Sequence, residues 1–380
     1  WQTAPAVADT KHPYAVFFGG GKDSTLATCL LSELFGPDRV LLVQFVGPHR
    51  LDSVLTERIE RRQETLMLRP AREHLGVATQ RVWTDYQARF RPEGYRARPH
   101  LELYTVGALP ALLAHGATLC TFCITWQSYS VDPDAHGHPV YHYARSRPEV
   151  TATQSARYRR ALGVDLTVAD VSLPFSHLVA FRFLAERYPR ALDQIVMCAQ
   201  AGIDQRWCYC CLKCVEYALY SLYCGLLDDR FDYDRLFARS PFARALVAFA
   251  ESGVELSPTG NAPWQPFFSL ERHFLAICHV VATIGRESHL PPLGREAHAN
   301  LLLLRALYGN RSFPQVEFVP APPFAHLGPD LGNRLRSLAA EHFTVVDEIP
   351  GPHLAGNTPT AYDFRTPMPT PTALVAHIRG

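Results

Sequence analysis

The chain has little charge and almost no net charge. Lys, Arg, Asp and Glu make up 19% of its 380 residues, and the formal balance is +1. A nucleic-acid-binding surface usually shows as a basic excess, so a large nucleic-acid footprint is not expected. No apolar run approaches the roughly 18 residues that a membrane-spanning helix needs, so no membrane partner is expected. Residues 1–13 lack a basic end followed by an apolar stretch, the mark of a secretory signal. There is no internal repeat and no low-complexity tract. The ten cysteines cluster instead of taking disulfide-framework spacings. The expectation is a cytoplasmic chain with reduced thiols and a metal site.

What the chain does have, near its start, is a glycine triplet between an apolar run and a helix-like run. Ala15 to Phe18 reads as a strand; Gly19, Gly20 and Gly21 follow; Lys22, Asp23, Ser24 and Thr25 precede the run Leu26 to Phe35. Glycines let backbone approach an anion closely. The unpaired amides at the start of the next helix point toward that anion. A nucleotide-phosphate site is therefore expected at residues 19–25. It is not a P-loop, because Asp23 follows Lys22 where that motif needs Ser or Thr, and the dinucleotide-binding G-x-G-x-x-G spacing is also absent.

Further along, strand and helix patterns alternate. Strands are expected at Arg39–Val46, Thr79–Thr84, Thr118–Ile124 and Leu166–Leu173. Helices are expected at 26–35, at Leu51–His74 with a break at Pro70, at 101–115, at 151–162, and at His177–Tyr188 capped by Ser176. Such alternation implies an α/β fold with a doubly wound parallel sheet. Ligands then lie beyond the carboxyl ends of the strands, around Gly19–Thr25, Val46–His49 and Cys123–Ser128. Residues 128–147 read as irregular, with His136, His138 and His142 more plausible as surface histidines than as a metal site. After residue 226 the pattern turns helical (235–251, 270–284, 295–308), and 313–380 is Pro-containing with few clear elements. The expected division is residues 1–225 as the nucleotide-binding domain and 226–380 as a mostly helical, Pro-rich C-terminal appendage.

The second strong signal is Cys198 followed by Cys208, Cys211 and Cys214. Two overlapping C-x-x-C turns plus one upstream Cys can surround a tetrahedral Zn²⁺. Four thiolates close the coordination sphere, so the expected role is structural. Cys210 stands outside the pattern. Cys120 and Cys123 share a strand and face opposite sides, so joint metal binding there is not expected.

The glycine loop resembles the S-G-G-x-D-S signature of the PP-loop ATP pyrophosphatases, with Gly19 where that family usually has Ser, and with Gly20, Gly21, Asp23 and Ser24 matching. Loop and cysteines together are similar to the 7-cyano-7-deazaguanine synthases. Closer in wording is the ATP-dependent epimerase of UDP-MurNAc-L-alanyl-L-glutamate, through Gly19–Ser24, Ser172–Arg182 and Arg206–Cys214. The similarity spans about residues 15–225. Glu149–Ser155 and Ala262–Ser269 depart from that family's corresponding segments.

The resemblance implies a PP-loop, adenine-nucleotide α-hydrolase-like fold with a zinc knuckle, and ATP cleaved between its α and β phosphates to adenylate a carboxylate on a small molecule or peptide. Gly19–Gly21 and Ser24 would bind pyrophosphate and Asp23 would hold Mg²⁺. Lys22, Thr25 and Lys213 are further phosphate candidates, and Cys123, Asp170 and His177 are candidate bases. Three outcomes stand open: epimerisation, amide or nitrile formation on a deazapurine-like acid, and a nucleotide-binding module without catalysis.

Overall fold

A computed structural model describes residues 11–46, 53–84, 101–125, 131–133, 139–141, 148–198, 201–202, 204–252, 274–284, 293–308 and 314–347. The Val46–His49 loop beyond Val46, residues 126–130, His136, His138 and His142, Ala262–Ser269 and the tail beyond 347 lie outside them.

The centre is a five-stranded parallel sheet. Its strands are β1 (Tyr14–Phe17), β2 (Val40–Val46), β3 (Ala78–Trp83), β4 (Leu119–Phe122) and, after the short antiparallel pair β5 (Val131–Pro133) and β6 (Pro139–Tyr141), β7 (Thr167–Asp170). The order is β3-β2-β1-β4-β7. The chain thus runs outward from β1 to β3, returns to the other side of β1, and moves outward again. The reversal lies between β1 and β4, whose Tyr14, Ala15 and Val16 pair with Leu119, Cys120 and Thr121.

Both faces of this sheet are covered, as near-continuous apolar strands require. Successive residues point to opposite faces. Val16, Val40 and Leu42 join one apolar core. Ala15, Leu41 and Val43 join a second, with Ala108, Leu112 and Tyr158. Helices α1 (Lys22–Phe35) and α2 (Ser53–Gln63) are followed by α3 (Leu101–Ala114), α4 (Pro148–Leu162), α5 (His177–Arg187), the short α6 (Pro189–Leu192) and α7 (Leu212–Tyr223). Residues of α3 and α4 line the smaller core, and residues of α1, α5 and α7 line the larger one. The molecule is therefore α/β, and its helix-covered parallel sheet is consistent with double winding.

Pro70 does not break its helix. Two wide π-type turns, Glu64–Leu68 and Ala71–Leu75, flank it, and Pro70 itself keeps helical backbone angles. Wide turns absorb the missing N–H and the ring's bulk. Ser176 caps α5 by accepting from the Val179 amide at 3.0 Å. The strand expected over 166–173 ends at Asp170 and becomes a turn. Beyond residue 226, α8 (Pro241–Ser252), α9 (Phe274–Ile284), α10 (Arg295–Tyr308) and α11 (Pro329–Ala340) follow, with β8 (Val319–Pro320) pairing β9 (Val345–Val346) in parallel. Phe237, Phe242, Val316, Phe324 and Leu335 from this stretch sit in the same core as α1 and α5. Among the described residues no helix is long and apolar enough to cross a membrane.

Candidate functional site

The glycine triplet leaves β1 at the strand reversal and opens α1. Gly20 has φ +73°, and a Cβ built there would lie 2.8 Å from Met67 Cγ and Sδ. Only glycine suits both the left-handed backbone and that close approach. Gly19 and Gly21 differ: among the described residues, a Cβ at either would meet nothing within 4 Å, so space lies open beside them there. Gly21 is the N-cap of α1 and makes no side-chain cap. The first turn offers helix amides and their partial positive charge toward that space. The Ser24 hydroxyl turns back to the Gly21 carbonyl at 3.2 Å, and Thr25 is buried with its amide on the same carbonyl at 3.0 Å.

Lys22 takes an unexpected path. It is 2% exposed, and its Nζ donates to Asp23 Oδ1 at 2.7 Å and lies 2.7 Å from His177 Nδ1. Burial lowers its pKa, while the neighbouring Asp23 carboxylate works in the opposite direction. Thr125 Oγ1, just past β4, lies 3.3 Å from both nitrogens of the His177 ring.

Asp170 ends β7 and is buried. Its Oδ2 accepts from the Ile124 amide at 2.9 Å, and its Oδ1 accepts from the Ser172 amide at 3.0 Å. It thereby ties the ends of β4 and β7 together. Ser172 Oγ then donates to the Asp23 carbonyl at 3.1 Å. The Cys123 thiol is pushed well above its ordinary pKa by burial, with the Asp170 and Asp23 charges adding to the effect. It is a protonated group at neutral pH. Gly19–Ser24, Cys123, Asp170 and His177 thus come from four separate stretches to one end of the sheet.

The cysteines form a second centre. The Sγ atoms of Cys198, Cys208, Cys211 and Cys214 all lie within 4.8 Å of one another. Separations are 3.7 Å for Cys208–Cys214, 3.6 Å for Cys211–Cys198 and 3.6 Å for Cys211–Cys214. A tetrahedral site with metal–sulfur distances of about 2.3 Å has edges of roughly 3.8 Å, so the set fits a zinc-like ion. Cys211 is the N-cap of α7 and Cys214 lies in its first turn, where the helix dipole favours thiolate. Hydrogen bonds from Cys198, Cys211 and Cys214 pull the Cys208 thiol far below its ordinary value. Cys198 settles at about 7: Cys208 opposes its ionisation, and Cys211 and Cys214 favour it. Arg62 Nη2 donates to the Cys198 carbonyl at 2.6 Å. Cys210 stays outside the four, 3.4 Å from Cys208 Sγ.

The two centres adjoin. Helix α7 carries Cys214 and, further along, Glu216 and Tyr220, both fully buried. Lys213 Nζ donates to Glu216 Oε2 at 2.8 Å, and both charges act on Lys22. The Tyr220 hydroxyl has no hydrogen-bond partner among the described residues. Burial raises its pKa well above the ordinary value, with Glu216 and Asp23 contributing. Sequence reasoning missed Glu216, Tyr220, Thr125 and Ser172. A signal for the first two exists: Lys213, Glu216 and Tyr220 recur at helical spacing as a polar stripe on an otherwise apolar helix. Thr125 and Ser172 lie within stretches the sequence did point to, Cys123–Ser128 and Ser172–Arg182, but their residue types alone did not single them out. No protein-family model matches this chain, and no curated protein matches it either.

Proposed function

We propose that the chain is an ATP-dependent adenylating enzyme of the PP-loop type, which activates a carboxylate on a small molecule or peptide and releases AMP and pyrophosphate. One observation carries this reading. Gly19–Asp23 leaves β1 at the reversal of strand order, with space over Gly19 and Gly21 open among the described residues and the start of α1 directed into it. Ligands of open α/β sheets bind at that point.

In this reading Gly19, Gly20, Gly21 and Ser24 cradle the pyrophosphate. Asp23, with 23% of its side chain exposed, is the carboxylate for Mg²⁺. Zinc belongs to Cys198, Cys208, Cys211 and Cys214 and is structural. A carboxylate anion is a poor electrophile, and it suppresses loss of its own α-proton. Attack of one carboxylate oxygen on the α-phosphorus expels pyrophosphate and leaves a mixed anhydride. The anhydride withdraws electrons, so the α-proton comes within reach of a side-chain base. Reprotonation on the opposite face and hydrolysis give the epimer. Cys123, held protonated by burial and by the Asp170 and Asp23 charges, is no base in its resting state. Asp170 has both carboxylate oxygens engaged by backbone amides, which makes it a poor base.

The test is AMP formation by zinc-replete protein with Mg–ATP and a panel of muramyl peptides, amino acids and deazapurine acids. AMP and pyrophosphate in equal amounts with one class are expected, together with α-deuterium in the recovered acid after reaction in D₂O. AMP formation that requires ammonia and leaves the α-position unlabelled replaces epimerisation with amide or nitrile formation. ATP binding without AMP from any acid leaves a nucleotide-binding module, and no ATP binding removes the reading altogether.

A further inference from the structure

The lysine of a glycine loop that holds phosphate is expected to face its ligand. Lys22 does not. Its side chain folds beneath the loop, 2% exposed, and ends between Asp23 Oδ1 and His177 Nδ1, each 2.7 Å away. His177 is itself 3% exposed, and Thr125 Oγ1 lies 3.3 Å from both of its ring nitrogens. Asp23, Lys22, His177 and Thr125 therefore form one hydrogen-bonded line across the gap between β1 and β4. The line joins the start of α1, the start of α5 and the end of β4.

We infer that Lys22 and His177 are positioning residues of the nucleotide site: His177 accepts a hydrogen bond from the Lys22 ammonium, and Lys22 in turn fixes the Asp23 carboxylate at the mouth of the glycine loop. The inference rests on the nucleotide reading of that loop.

Donor and acceptor chemistry supplies the argument. An ammonium has three donors and no acceptor. With Lys22 charged beside Asp23, His177 Nδ1 must present its lone pair, so the ring proton resides on Nε2, which like Nδ1 lies 3.3 Å from Thr125 Oγ1. Protonating Nδ1 would break the bond to Lys22 and set two positive charges together in a buried space. His177 is thereby unavailable as a base. Asp23 benefits at the other end of the line. One of its oxygens is held by Lys22, and the other has no protein partner among the described residues. A carboxylate fixed by one oxygen and open at the other is preorganised for a cation, and residues that orient a metal ligand in this way commonly matter about 10- to 100-fold for metal affinity.

The inference differs from direct phosphate binding in what magnesium does. Nucleotide affinity is measured by calorimetry for wild type, Lys22→Met, His177→Leu and His177→Asn, each with Mg–ATP and with ATP in EDTA. His177→Asn keeps an acceptor near the Nδ1 position. Lys22→Met and His177→Leu are expected to weaken Mg–ATP by about 10- to 100-fold and to change magnesium-free ATP little, whereas His177→Asn should keep most of the wild-type Mg–ATP affinity. Equal losses with and without magnesium would make Lys22 a phosphate ligand and overturn the inference. ¹⁵N NMR of the wild-type histidines gives a readout that no variant's folding can disturb. It should show His177 protonated at Nε2 with Nδ1 as a hydrogen-bonded acceptor; a proton on Nδ1 overturns the pair. Failure of wild type to bind ATP at all removes the nucleotide reading and the positioning role with it, and the NMR result still shows whether the Lys22–His177 bond exists.

Discussion

The amide of Val196 donates to the carbonyl of Gly20 at 2.7 Å, so the segment that enters the cysteine cluster is bonded directly to the glycine loop. Cys198 follows two residues later. On the other side of the cluster, Cys211 and Cys214 anchor α7, whose Lys213 and Glu216 charges act on Lys22. A metal ion gripping these sulfurs would fix both segments against the phosphate loop.

Metal removal should consequently be felt at Gly20. Structural zinc in small peptides contributes roughly 10–16 kcal/mol of apparent binding free energy. Stripping the metal, or Cys211→Ser, should lower the melting temperature and raise deuterium uptake across both 19–25 and 195–198. Cys210→Ser removes a thiol outside the four and should stay within about 0.5 kcal/mol of wild type. Unchanged melting and exchange in metal-free protein would rule out the structural role.

Gly20→Ala tests the shape of the loop. A left-handed backbone costs an alanine about 1–2 kcal/mol, and the new methyl would meet the Met67 side chain at 2.8 Å. Urea denaturation should show a loss above the backbone figure. Adding Met67→Ala should relieve the steric part alone. Gly19→Ala should leave stability unchanged, because none of the described residues lies within 4 Å of its added methyl. Any loss of nucleotide affinity in Gly19→Ala would then report the ligand's approach to the loop.

Local pattern and long-range chemistry were not equally legible in the sequence. The strand-loop-helix at 14–35, the alternating strands and helices of the parallel sheet and the four clustered cysteines could be read because each shows in local spacing or periodicity. Pro70 misled because wide helical turns are set by packing, as where Met67 meets Gly20. Helix α11 was hidden among prolines and glycines, although Pro329 sits at its first turn, where proline is tolerated. The meeting of Lys22 with His177, 155 positions apart, had no sequence signal, since it arises from the crossover connections that bring α1 and α5 together.

Glu317 governs a prediction about acid. Its carboxyl is held below the ordinary value of 4.5 chiefly by the hydrogen bond with His279, against the cost of burial, with help from Tyr223 at 2.6 Å and Arg182 at 3.0 Å. Arg182 is shared with Glu186. A depressed carboxyl stabilises the fold fully above its unfolded value of about 4.5, and that contribution fades as pH falls through the folded value. The side chain is 31% exposed, so water screens the effect and the change should be modest. Glu317→Gln should be less stable than wild type at pH 7, and the difference should shrink below about pH 4.5. Urea midpoints measured from pH 7 to pH 3 check this; a constant difference would exclude the linkage.

Asp170 separates support from chemistry at the same end of the sheet. Its two oxygens accept from the Ile124 and Ser172 amides, and it is buried. Asparagine has nearly the same shape but offers one acceptor and one donor. In Asp170→Asn one of those backbone amides would face an N–H, which leaves a buried donor unpaired at a cost of about 1–3 kcal/mol. The ends of β4 and β7 would part, and with them Cys123 and the Ser172 bond to the Asp23 carbonyl. The expected result is a lower urea midpoint together with weaker nucleotide binding. Were Asp170 a base as well, Asp170→Asn would lose α-proton exchange far beyond what its weaker stability and ATP binding account for. Measuring all three quantities on one variant distinguishes a clamp from a base.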